Sequence, residues 1–201
     1  GVFSKFYGFI SSGTFPNFTL DQSNPTLTDV PLTLGGGTRR FFSRQDRSAT
    51  QLMKITNISG LTVTFETPFH YTFKAAYAAQ IGIIDQSNYW ITDGASVENL
   101  GLFGGMGGDG QGNLPMGLCT NSWVKNVESY WSTGTGIGLY GCYRCEVRDS
   151  FMHESPNPNP GGAGYLSGMN MWASDCLFEN NIMWQGNKEI VMRSTGGGNV
   201  G

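Results

Sequence analysis

A short unit recurs through the second half of the chain and constrains the fold more than any other feature. The unit is an apolar residue, a charged residue and then Asn or Asp. It occurs at Val97-Glu98-Asn99, Val124-Lys125-Asn126, Val147-Arg148-Asp149 and Phe178-Glu179-Asn180. The first residues, 97, 124, 147 and 178, are therefore 27, 23 and 31 residues apart. Repeats of about 20–45 residues indicate solenoid units that stack on one another.

Each residue of the unit has a physical role in a stacked strand. Because side chains alternate along a strand, the apolar residue points into the solenoid and the charged residue points out. The Asn or Asp then lies at a turn, and such residues can bond one another from coil to coil. We therefore predict an all-β fold, with a parallel β-helix (a single-stranded solenoid) over residues 95–201. The chain stops at "GGGNVG" without a capping element, so we expect the coils to continue beyond it.

Residues 1–94 predict an irregular β segment that leads into the solenoid. In "LMKITNISGLTVTF", apolar Met53 and Ile55 alternate with polar residues, and so do Val63 and Phe65 after the turn "NISG". This alternation predicts a β-hairpin. The run "FKAAYAAQ" (73–80) is the only helix-like stretch, and it is short enough to be a connector or a single helical turn.

Charge and hydropathy exclude two classes of protein. The chain has 12 Lys and Arg against 15 Asp and Glu, and the absence of a basic run argues against nucleic-acid binding. No apolar run approaches the eighteen or so residues that a membrane span needs. Two glycosylation sequons, Asn17-Phe18-Thr19 and Asn57-Ile58-Ser59, are compatible with the extracellular or cell-surface location that we predict.

The four cysteines fall into two positions of the repeat. Cys119 and Cys142 each lie five residues before the apolar residue of a unit, and Cys145 and Cys176 lie two residues before it. The CxxC of "CYRC" therefore belongs to two vertical stacks, 119/142 and 145/176. Zinc or redox chemistry would need further convergent ligands, and we predict no metal site. Buried core residues and disulfides across coils both stay open.

The intervals between units vary in length and predict loops on one edge of the solenoid. They span 104–117, 130–138, 154–168 and 184–190. Insertions on one face of a repeat protein often form its binding face. The chemistry-bearing residues in or beside these loops are Asp109, Trp131, His153, Glu154, Tyr165, Trp184, Lys188, Glu189 and Arg193.

Aromatic rings beside carboxylates are suited to sugars, because the rings stack on pyranose faces and the acids bond hydroxyls. The same composition suits a protein-binding rim, a plain coil edge or loop packing. Hydrolysis needs two carboxylates about 5–9.5 Å apart, and the candidate catalytic residues are Glu154, Glu189, His153 and Asp109, with Glu179 as a further acid. The candidate substrate-binding residues are Trp131, Tyr165, Trp184, Lys188 and Arg193, and Lys188 or Arg193 could also be the base of a lyase.

Residues 95–201 resemble coils of the pectin-lyase-like superfamily, particularly its bacterial members. The similar segments are "NSWVKNVESYW", "CYRCEVRDSFMHES" and the stretch from "GGAGYLSG" to "GGGNV". The resemblance implies a right-handed parallel β-helix and a protein of the class that contains polysaccharide lyases, hydrolases, tailspikes and adhesins. The catalytic motifs of pectate lyases and polygalacturonases are not found in the chain. Calcium is implied only if the protein acts as a lyase, and otherwise we expect no cofactor.

Two functions follow as expectations. The first is an extracellular β-helix that binds or cleaves polysaccharide in a groove edged by loops, as a lyase or glycoside hydrolase would. The alternative is a non-catalytic structural β-helix, such as an adhesin, spike or filament component, for which self-assembly through strand edges is expected.

Overall fold

The computed structural model describes residues 7–11, 51–70, 72, 80–83, 91–105, 112–156, 164–170, 172–193 and 199. Every helix or strand in these ranges is a β-strand, which confirms the all-β prediction for them. Residues 73–79 of the helix-like run lie outside the described ranges. No helix in the described part of the chain is long and apolar enough to cross a membrane. The chain divides into two compact units, Gly1–Trp90 and Ile91–Gly201.

The first unit contains a four-stranded antiparallel sheet in the order β3-β2-β1-β4. Its strands are β1 (Tyr7–Ser11), β2 (Leu52–Ser59), β3 (Thr62–Phe65) and β4 (Gln80–Ile83). β2 and β3 pair antiparallel with Ser59 opposite Thr62, which confirms the predicted hairpin. Gly60 occupies the turn with φ +57°, a conformation that glycine adopts without steric cost.

The described residues of the second unit form twelve strands, which the chain visits in a repeating order. They are β5 (Thr92–Asp93), β6 (Ser96–Phe103), β7 (Leu114–Gly117), β8 (Cys119–Thr120), β9 (Trp123–Tyr130), β10 (Thr135–Tyr140), β11 (Glu146–Arg148), β12 (Phe151–His153), β13 (Tyr165–Asn170), β14 (Leu177–Glu179), β15 (Ile182–Trp184) and β16 (Lys188–Arg193). All pairings among them are parallel. The unit is therefore a β-solenoid with four stacked rungs.

The register of the rungs is the one that the sequence repeat predicts. Val124 pairs with Val97 on one side and Val147 on the other, and Val147 pairs with Phe178. Val124 and Val147 are fully buried, as expected for the apolar residue of the unit. The next strands continue in the same register, since β12 pairs with β9 and β15.

Residues in the left-handed backbone region form the corners between strands. Three corners recur on all four rungs, with φ between 47° and 76°, and they are Gly94/Asn121/Arg144/Asp175, Asn99/Asn126/Asp149/Asn180 and Gly104/Trp131/Glu154/Gln185. Only Gly, and less readily Asn or Asp, adopts this conformation at low cost. The Asn or Asp of the repeat unit is therefore explained by the second corner.

The four cysteines line the interior as two adjacent stacks. Tyr143 pairs with Thr120, which sets Cys142 beside Cys119, and Glu146 pairs with Leu177, which sets Cys145 beside Cys176. All four are buried free thiols, and burial raises the pKa of Cys142 well above its ordinary value. Among the described residues, no group of three or more His, Cys, Asp or Glu could hold a metal ion.

Candidate functional site

One outer surface of the solenoid brings together aromatic and acidic side chains from all four rungs, and we call it the aromatic face. It is formed by the strand residues that follow the Asn or Asp corner on each rung, which pair in register across β6, β9, β12 and β15. Because side chains alternate along a strand, two outward rows run from rung to rung. The middle row is Gly101, Glu128, Phe151 and Ile182, and the aromatic row is Phe103, Tyr130, His153 and Trp184.

The Asn and Asp corners flank the middle row and form the Asx ladder (Asn99, Asn126, Asp149 and Asn180). Asn126 Nδ2 donates to Asn99 Oδ1 at 2.7 Å, and Asn180 Nδ2 donates to Asp149 Oδ1 at 2.8 Å. These two bonds confirm the predicted bonding of corner side chains between neighbouring rungs. The bond from Asn180, together with Arg148 beside it, lowers the pKa of Asp149 below its ordinary value.

His153 lies in the centre of the aromatic face and is packed between two rings. Its imidazole stacks on Tyr130 at 5.2 Å with parallel planes and on Phe151 at 4.1 Å, measured between ring centroids. Nε2 is 3.0 Å from Glu128 Oε1, and Nδ1 is 3.5 Å from Glu154 Oε2. The Nε2 contact is a hydrogen bond, whereas Nδ1 is buried and makes none with the described part of the chain. With its two flanking rings, His153 is only 8% exposed.

The far edge of the aromatic face is the third corner (Gly104, Trp131, Glu154 and Gln185). The Trp131 amide donates to Glu154 O at 3.2 Å, and the Glu154 amide donates to Trp184 O at 3.0 Å. The Trp131 ring is 50% exposed and the Trp184 ring in the neighbouring row is 51% exposed. Phe103 contacts both Tyr130 and Trp131, with centroids 4.9 and 6.3 Å away. Aromatic rings are therefore presented to solvent along this edge.

An open groove follows the Asx ladder along the solenoid. Its volume is about 710 Å³, which falls within the range of about 300–1,000 Å³ typical of ligand sites. Its walls are amides and carboxylates of the ladder on one side and the middle row on the other, and the lining residues are Asn99, Leu100, Gly101, Asn126, Val127, Glu128, Asp149, Ser150, Phe151, Asn180 and Ile182. The groove continues over the solenoid rungs without a closing wall.

The structure brings four of the predicted site residues together. Trp131, His153, Glu154 and Trp184 all lie in the aromatic row or the corner beside it. These residues come together because each predicted loop begins at or next to the third corner, and the third corners of the four rungs lie along one edge of the solenoid.

The other predicted residues lie elsewhere. Tyr165 is buried, and Lys188 lies over its ring with Nζ 5.5 Å from the centroid. Glu189 is exposed on β16, which belongs to a different sheet from β12, and Glu179 is exposed on β14. Asp109 lies outside the described residues, and so does the side chain of Arg193.

Sequence reasoning missed four residues of the aromatic face: Phe103, Glu128, Tyr130 and Phe151. The signal was present, because the repeat register places each of them two or four residues after its Asn or Asp corner, on the outward side of the strand. Three of these positions lie in strands, before the predicted loops begin, and Tyr130 is the first residue of a predicted loop.

Comparison with family profiles, curated proteins and solved structures gives no match for this chain. Its function is therefore argued from the aromatic face.

Proposed function

We propose that the chain is part of an extracellular right-handed parallel β-helix whose aromatic face binds polysaccharide. The observation that carries the proposal is the exposure of Trp131 and Trp184 beside Glu154 and a groove lined by amides. Exposed aromatic rings give a sugar ring a flat apolar surface, and amides and carboxylates accept its hydroxyl hydrogen bonds. Right-handedness is supported by the strong preference of parallel strand crossovers for that hand, and the resemblance to pectin-lyase-like coils points the same way.

The backbone at the third corner supports a functional role for its side chains. Trp131 and Glu154 adopt φ of 55° and 52°, which costs an L-residue of this type about 1–2 kcal/mol. Gly or Asn would fill the corner at lower cost, as Asn does in the Asx ladder. Strained backbone of this kind clusters at functional sites. Leu118, Arg144 and Trp172 share this conformation, so it is the exposure of Trp131 and of the Glu154 carboxylate, together with the strain, that favours a surface that contacts a ligand.

Binding is better supported than cleavage. Glu128 and Glu154 lie on opposite nitrogens of His153, so the imidazole occupies the space between the two carboxylates, where inverting hydrolysis needs room for a water. The His153 ring also stacks against Tyr130 and Phe151, and only 8% of the residue is exposed. A general base needs to reach the proton that it removes, which this packing hinders.

A non-catalytic structural role, as in an adhesin or filament component, is the second candidate. The observation in its favour is that neighbouring rungs bond one another through their corner side chains, which would stiffen a solenoid that has a structural role. Such a component would show no affinity for soluble polysaccharide at the aromatic face.

Affinity electrophoresis in gels that contain a polysaccharide tests the proposal. We expect the wild-type chain to be retarded, and we expect Trp131→Ala and Trp184→Ala to lose about fivefold to a hundredfold in affinity, because stacking of a ring on an aromatic side chain contributes about 1–3 kcal/mol. Trp123→Ala is the matched control, since Trp123 lies before the Asx corner in β9 and not on the aromatic face. Equal loss in Trp123→Ala, or no retardation of the wild type in any gel, would overturn the proposal.

A reducing-end assay on the same panel, with and without EDTA, tests cleavage separately. Activity that Glu154→Gln abolishes would make the protein an enzyme, and activity that disappears with EDTA would point to a metal such as calcium. Activity that survives both Glu154→Gln and Glu189→Gln would remove these residues from the catalytic candidates.

A further inference from the structure

The charges of the aromatic face identify the class of polysaccharide that it fits, and this inference rests on the proposed function. The face consists of four rows of four residues: the Asx ladder, the middle row, the aromatic row and the third corner. Among these sixteen positions the acids are Asp149, Glu128 and Glu154. One position is His153, and none is Lys or Arg.

The three carboxylates are exposed enough to act on a ligand. The side chains of Glu128, Glu154 and Asp149 are 53%, 39% and 32% exposed. The carboxylates therefore contribute negative potential to the aromatic face, which Arg148 partly offsets at Asp149. At 10 mM salt this potential is screened only beyond about 30 Å. A polymer with a carboxylate or sulfate on each sugar would meet like charge along the rungs.

The Lys and Arg side chains near the aromatic face interact with the Asx ladder or with residues beside the face. Arg148 is the cation that contacts the ladder, through Nε at 3.3 Å from Asp149 Oδ2, and its Nη1 is 3.5 Å from Glu146. Lys125 acts on Asp149 only over a longer range. Lys188 lies over Tyr165, which belongs to another sheet. Arg148 and Lys188 thus have their contacts outside the middle row and the aromatic row.

The polar groups of the groove call for hydrogen-bond donors on the ligand. Carboxylate oxygens only accept, and Asn126 and Asn180 each use one of their two Nδ2 protons to bond the preceding rung. The three carboxylates of the surface therefore accept hydrogen bonds that the hydroxyls of a neutral polysaccharide can donate. Uronate groups would bring additional acceptors with no partner.

We infer that the aromatic face binds a neutral polysaccharide and rejects polyuronates and sulfated chains. The polymer lies along the rungs on the aromatic face, with sugar rings on Trp131 and Trp184 at its far edge and hydroxyls donating to Glu128 and Glu154. Successive rungs about 4.7–4.9 Å apart repeat the same contacts, so that affinity grows with chain length until the ligand spans the rungs.

Affinity electrophoresis with a matched panel tests this inference: a soluble neutral β-glucan, a neutral mannan, polygalacturonate, alginate and a partly deacetylated chitin. We expect binding to a neutral polymer that changes little between 10 and 500 mM salt, and no binding to either polyuronate at 10 mM salt. Glutamine keeps a hydrogen-bonding oxygen but removes the charge, so the double variant Glu128→Gln/Glu154→Gln should raise the affinity for polyuronate by about tenfold relative to the wild type.

The outcomes separate the inference from the proposed function. Tighter binding of a polyuronate than of any neutral polymer overturns the neutral class and leaves polysaccharide binding intact. Binding of the deacetylated chitin alone also overturns it, because the ligand is then a cation. Failure of every polymer to bind overturns the proposed function and the inference together. If the double variant binds polyuronate no better than the wild type, the charges of Glu128 and Glu154 do not cause the rejection of polyuronate.

Discussion

Substitutions at Asn126 give the sharpest test of the solenoid corners. Asn126 is exposed, has φ 52° and donates from Nδ2 to Asn99 at 2.7 Å. Asn126→Ala removes this hydrogen bond, worth about 0.5–1.5 kcal/mol. It also forces an alanine into the left-handed region, where the steric cost is about 1–2 kcal/mol. We therefore expect Asn126→Ala to lower the free energy of unfolding by about 2–3 kcal/mol.

Asn126→Gly separates the two contributions. Glycine loses the same hydrogen bond but adopts the left-handed conformation freely, and its main additional cost is the greater entropy of the unfolded chain, about 0.5–1 kcal/mol. The glycine variant should therefore be more stable than the alanine variant by about 1 kcal/mol. At an ordinary strand or helix position the order is reversed, because glycine there is less stable than alanine.

Equilibrium urea unfolding followed by circular dichroism measures both variants against the wild type. The order of the two urea midpoints shows which variant is more stable, even if the rungs do not all unfold in a single step, as is possible in repeat proteins. A glycine variant that is less stable than the alanine variant would refute the left-handed corner at Asn126, and with it the regular corner geometry of the rungs.

Three further predictions concern the core, the loss of stability at low pH and the reactivity of the thiols. Val147→Ala should lower the free energy of unfolding in urea by about 2 kcal/mol, because Val147 is fully buried. Val97→Ala should lower it by less, because Val97 at the same repeat position is only half-buried. Equal losses in the two variants would contradict the interior stack. The Asp149 carboxylate has a lowered pKa in the folded protein, so its contribution is present above the ordinary value of 3.8 and is lost as pH falls through the folded value. In Asp149→Asn the free energy of unfolding should therefore fall less steeply as pH is lowered than in the wild type. An unchanged pH dependence would show that another group causes the loss of stability in acid. In reduced protein a thiol reagent should label none of Cys119, Cys142, Cys145 and Cys176 rapidly until denaturant is added, since all four are buried, and rapid native labelling of Cys145 would contradict its interior position.

The fold of residues 91–201 was largely predictable because one sequence unit carries both the strand alternation and the corner. Val124, Val147 and their partners fixed the register, and the Asn or Asp after them fixed one corner. The corner at Gly104, Trp131, Glu154 and Gln185 was not predictable as a backbone feature, since Trp and Glu rarely adopt the left-handed region and nothing in their local sequence signals it.

The candidate site was predictable in part for the same reason. His153, Glu154, Trp131 and Trp184 were found because they follow the repeat unit at nearly equal distances. The partners of His153 were missed, since Glu128 belongs to the preceding rung and its contact depends on stacking. The burial of Tyr165 was also hidden from the sequence, because a ring beside a glycine-rich loop has the same local pattern whether it is covered or exposed.

The most direct test of the central claim is hydroxyl-radical footprinting of the tryptophans with and without a saturating neutral glucan. The aromatic face should bind the polymer, so oxidation of Trp131 and Trp184 should fall by several-fold while oxidation of Trp123 stays unchanged. Protection of Trp123 with no protection of Trp131 and Trp184 would place the ligand on another surface and contradict the account.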